Sequence, residues 1–86
     1  MKQFTNSHRI ILEAIKDNNG LMPEQDLITR HPEIGFAEVI EILNDLKKMR
    51  AIVKARHSMW SITNNGIRFV DDPFAIETFN RILREG

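Results

Sequence analysis

Lys47, Lys48, Arg50, Lys54 and Arg56 fall within ten consecutive positions with no Asp or Glu among them, and His57 follows directly. Clustered ammonium and guanidinium groups suit one kind of chemistry above others, the neutralisation of phosphates on a polyanion with release of its condensed counterions. A plainer reading stands beside it. Lys47, Lys48 and Arg50 end a predicted helix, where cations oppose the dipole, and Lys54 and Arg56 fit a solvated strand. Five cations without an intervening acid exceed what helix capping needs, which favours phosphate contact.

The net charge of zero conceals this block. Residues 1–16 carry +2, residues 17–45 carry −6, residues 46–70 carry +6 and residues 71–86 carry −2. One basic segment therefore adjoins one acidic segment. Other chemistries find little support. His8, His31 and His57 are dispersed without metal-ligand spacing, cysteine is absent, and no carboxylates stand in a catalytic arrangement. Asn64-Asn65-Gly66 lacks the remainder of a phosphate-cradling motif and reads as a cap or turn. No catalytic residue, metal or cofactor is expected, and the chain does not read as an enzyme.

These side chains must be positioned by one small domain, since 86 residues allow a single modest core spanning 1–86. Without disulfides that core is self-sufficient or completed by a second copy. The stretch "MKQFTNSHR" has no signal-peptide character and no segment has the length of a membrane span, so a cytoplasmic location and no membrane partner are expected.

Helical spacing and capping residues predict a helix over 7–19, with Thr5, Asn6 or Ser7 at its start and Gly20 at its stop. Ile10, Ile11, Ala14 and Ile15 form its apolar stripe, and Leu12 at the edge is placed to meet another helix or subunit. A short helix over 23–31 begins at Pro23 and carries Arg30 and His31 near its end. The longest helix spans 36–50. Its predicted core half holds Phe36, Val39, Ile40, Ile42, Leu43, Leu46 and Met49. The opposite face shows Ala37, Glu38, Glu41, Asn44, Asp45 and Lys48. Asn44 and Lys48 suit bases or phosphates, whereas Glu38, Glu41 and Asp45 suit a basic protein partner instead.

Two strands are expected over 52–57 and 60–63 around a tight connection at Ser58-Met59. Alternation then turns Val53 and Ala55 inward with Trp60 and Ile62, and Lys54 and Arg56 outward. After Trp60, "WSITNNGIRFVDD" admits two readings. Either Thr63 caps a helix over 64–70, or Ile67–Val70 forms a third strand. A C-terminal helix over 73–84 carries Ala75, Ile76, Phe79, Ile82 and Leu83 and must dock on the first helix or a second chain. Trp60, Phe69 and Phe79 fit core positions, Phe4 and Phe74 fall outside the stripes as candidate subunit contacts, and Met59 sits at the hairpin tip.

"AEVIEILNDLKKMRAIVKAR" resembles the third helix and first wing strand of winged helix-turn-helix proteins, through Leu43, Leu46, Ile52 and Val53. Ala51 stands where that superfamily usually has glycine. "WSITNNGIRFV" is similar to its aromatic-x-Leu/Ile-Thr-x-x-Gly passage from second wing strand to next helix, and "GIRFVDDPF" to small bacterial and phage members. The resemblance, over about residues 7–70, implies an α+β, mostly helical winged helix-turn-helix with a two-stranded wing and an additional C-terminal helix. It further implies a transcriptional regulator contacting duplex DNA through 47–57, with Arg9, Arg30 and Arg68 adding backbone contacts. Pairing of first and last helices would make a homodimer that reads two half-sites.

Overall fold

The computed structural model describes residues 4–85, and the side chains at 73–76, 79 and 83 lie outside that description. Its elements run α1 (Asn6–Asp17), β1 (Leu21–Pro23), α2 (Glu24–Thr29), α3 (Phe36–Lys48), β2 (Ile52–Ala55), β3 (Met59–Ile62), α4 (Asn64–Asp71) and α5 (Pro73–Glu85). The chain is thus mostly helical, with a small antiparallel sheet ordered β1-β3-β2. The third strand is not Ile67–Val70, the segment offered for it as the alternative. Residues 64–71 are helical, and Leu21–Pro23 instead pairs with Met59–Ser61.

Thr5 caps α1 in a reciprocal box: its side chain accepts the His8 N–H, and the His8 ring accepts the Thr5 N–H. The helix ends before Asn19 and Gly20, both with positive φ. Ile11, Leu12 and Ile15 are fully buried, so Leu12 belongs to the core rather than to an edge awaiting a partner. None of the large apolar side chains of α1 is exposed. Phe4 also packs against the core, and the apolar stripe of α5, apart from Ile82, lies outside the described side chains. At the other end of α1, Lys16 Nζ lies 2.8 Å from Asp71 Oδ1, and that bond raises the lysine pKa above its ordinary 10.5.

Helix α2 is shorter than expected because Pro23 serves β1 and stands as its N-cap. His31 closes the far side by bonding through Nδ1 to the Leu27 carbonyl, at 2.9 Å. Helix α3 buries Val39, Ile42, Leu43 and Leu46 against α1 and the sheet. Phe36, predicted to join them, is 66% exposed instead. It is the first residue after Gly35, before the helix has turned inward.

Met49 ends α3, and Arg50 takes the left-handed conformation at φ 60°. The Arg50 N–H donates to Lys47 O and the Ala51 N–H to Leu46 O, which satisfies two of the orphan carbonyls. The left-handed stop thus falls on Arg50, one residue before the position at which glycine was expected. Ala51 is instead pinned against α4. The Thr63 N–H and hydroxyl both reach Ala51 O, and the Gly66 N–H returns to Thr63 Oγ1. A Cβ at Gly66 would stand 2.2 Å from Ala51 O, so only glycine allows this approach.

Candidate nucleic-acid interface

The basic block begins on the last turn of α3. Lys47, Lys48 and Arg50 are exposed there, and the chain enters β2 through buried Ala51 and Ile52. About six residues of extended chain, at roughly 3.3 Å each, carry it from Arg50 to Arg56 at the hairpin end. The backbone separation of Arg50 and Arg56 is therefore no more than about 20 Å.

The hairpin differs from expectation by its register. Ala55 pairs with Met59 and Lys54 with Trp60, while the chain turns through Arg56, His57 and Ser58 and closes with the Met59 N–H on Arg56 O. Opposed residues share a face, so Lys54 lies on the same side as buried Trp60. Val53 and Ala55 take the other side, and Val53 is 48% exposed. A connection centred at Ser58-Met59 would have reversed both assignments. Moving the turn toward Arg56 flips every side chain of the strand. Met59 belongs to β3 rather than to the tip.

On its true face Lys54 is not a free cation. Its Nζ lies 4.7 Å from the Trp60 ring centroid and 3.8 Å from Glu24 Oε1, and the same oxygen accepts Trp60 Nε1–H at 3.1 Å. The Glu24 backbone N–H also donates to Ser58 O, at 2.9 Å. One residue at the start of α2 thus holds the hairpin twice, by backbone and by carboxylate. Nothing in its sequence surroundings distinguished Glu24 from an ordinary first-turn acid, because its partners lie thirty or more positions away.

Arg56 and His57 are exposed at the tip. His57 and Ser58 both have positive φ, 55° and 59°, a conformation that costs a residue with a Cβ about 1–2 kcal/mol. Among the described residues, ion pairs engage Lys16, Arg30 and Lys54 but none of Lys47, Lys48, Arg50 or Arg56.

The outward stripe of α3 holds Ala37, Glu41, Asn44 and Lys48, with Glu38 at its side, all exposed. Asp45, placed on this face from the sequence, is 5% exposed and turned toward α1. His8 Nδ1 accepts the Thr5 N–H at 3.1 Å, which puts the ring proton on Nε2, where it is donated to Asp45 Oδ2 at 3.0 Å. From the sequence His8 is read only as lacking metal-ligand spacing. The pairing spans 37 positions and leaves no local trace, and it reduces the exposed acids of this face from three to two.

No protein-family model, curated protein or solved structure matches the chain.

The three outlying arginines sit on α1, at the end of α2 and on α4. Arg9 Nη1 donates to Val70 O at 3.4 Å and its guanidinium lies over Phe4, so it ties α1 to α4. Arg30 is exposed beside Asp26, at 4.0 Å. Arg68 is exposed on α4 and lines a cleft near Met49. No cluster of potential metal ligands and no helix long and apolar enough to cross a membrane occurs among the described residues.

Proposed function

We propose that this chain is a small winged helix-turn-helix protein that binds duplex DNA and regulates transcription. In this reading α2 and α3 form the helix-turn-helix and the β2–β3 hairpin is the wing. Lys47, Lys48, Arg50 and Arg56 neutralise phosphates, and Asn44 on the outward stripe of α3 is the residue best suited to a base edge. The observation that carries the proposal is the exposure of those four cations without an acidic partner among the described residues. Withdrawal of Asp45 into its bond with His8 removes one charge that would have opposed the duplex. Lys54, held by Glu24, contributes less than the sequence implies.

The test is a pair of charge reversals at exposed sites. Arg50→Glu with Arg56→Glu abolishes retardation of a duplex on a native gel while leaving the circular dichroism unchanged; retained retardation removes the proposal.

A second reading is favoured by one feature, the 66% exposure of Phe36 on a helix that also carries exposed Glu38 and Glu41. An exposed aromatic and acids on one helix suit a surface that docks a basic protein segment. Under that reading Phe36→Ala with Glu41→Lys abolishes capture of a basic peptide, and DNA is not bound at all.

A further inference from the structure

We infer that the cleft between the end of α3, α4 and α5 is a binding site for a small aromatic carboxylate. It is lined by Met49, Asn65, Arg68, Phe69, Thr78 and Ile82, with a volume of about 150 Å³. A volume of that order matches an apolar cavity that takes up benzene, so a single ring suits the cleft in size.

The lining divides by chemistry. Met49 and Phe69, 5% and 7% exposed, form the buried part of an apolar wall whose outer edge is Ile82, 40% exposed. A ring seated there gains thioether and edge-to-face aromatic contacts. Arg68, Asn65 and Thr78 supply the polar lining, and no acidic side chain is among the described residues that line it. The Arg68 guanidinium has no carboxylate partner among the described residues. Its planar fork matches a carboxylate through two parallel hydrogen bonds, and the Asn65 amide and Thr78 hydroxyl provide further donors.

Alternatives of simpler composition fit less well. A neutral hydrocarbon leaves the guanidinium unanswered. Inorganic phosphate leaves the Met49–Phe69–Ile82 wall unfilled and loses hydration beside it. Only a ligand with an apolar ring and one anionic end uses both halves.

The site is tested without nucleic acid, so its outcome is independent of the DNA reading. Benzoate, toluene and inorganic phosphate are titrated separately into the ¹⁵N-labelled full chain and the amide shifts followed. Benzoate is expected to bind saturably at about 1 mM or tighter, with shifts centred on Met49, Asn65 and Arg68. Arg68→Gln, a substitution at an exposed position, weakens it about tenfold or more, and Arg68→Lys restores part of the loss. Absence of saturable shifts with benzoate overturns the proposal. So does equal binding of toluene or phosphate, or benzoate binding that Arg68→Gln leaves unchanged.

Discussion

His8 Nε2 lies 3.0 Å from Asp45 Oδ2 with both side chains buried, and this bond ties the first turn of α1 to the last turns of α3. Asp45→Ala leaves the imidazole N–H without its acceptor in a site closed to water. The expected loss is about 1–3 kcal/mol of unfolding free energy, read from urea denaturation. A change within about 0.5 kcal/mol, the usual range for a surface substitution, shows that Asp45 faces solvent.

Gly66 within α4 has no positive φ, so its conformation alone would welcome alanine with a gain of roughly 1 kcal/mol in helix propensity. The Ala51 carbonyl, 2.2 Å from the added Cβ, reverses the sign. Gly66→Ala is expected to destabilise by about 1–3 kcal/mol through overpacking, and chemical denaturation that finds the variant more stable refutes the contact.

The hairpin tip carries two left-handed residues with Cβ atoms, His57 and Ser58. Replacing them by Asn-Gly supplies residues at ease there and is expected to raise stability by about 1–2 kcal/mol. For a domain this small each kcal/mol corresponds to about 4–8 °C in Tm, so the gain is visible in a thermal melt. An unchanged or lowered Tm means that the tip is not strained in this way.

Glu24 Oε1, 3.8 Å from Lys54 Nζ, competes with any incoming phosphate for that ammonium. If the wing binds DNA, Glu24→Gln frees that ammonium, raises affinity, and steepens the slope of log affinity against log salt by up to about 0.9, the increment for one phosphate. Weaker binding with an unchanged slope would show instead that Glu24 matters only as a strut for the hairpin.

What the sequence disclosed and what it withheld divide along the range of the forces involved. Helices α1, α3 and α4 were legible because Thr63, the Asn19-Gly20 region and the apolar spacing act within a few residues. The basic block was legible as composition. Strand β1 was not, because three residues that include a proline carry no period, and only pairing with β3 makes them a strand. The face of Lys54 was misassigned because it depends on where the turn closes, and the left-handed residues there are His57 and Ser58 rather than Asn-Gly. Asp45 obeyed the helical wheel poorly because a histidine 37 positions away supplies the bond that lets it be buried.

The most direct measurement of the central claim is fluorescence anisotropy of a labelled duplex titrated with the chain at about 50 and 200 mM salt. Four neutralised phosphates correspond to a slope of about −3.6, so this fourfold rise in salt is expected to weaken binding roughly 150-fold. Binding that salt leaves unchanged, or no binding at the lower salt, contradicts the assignment of Lys47, Lys48, Arg50 and Arg56 to a phosphate backbone.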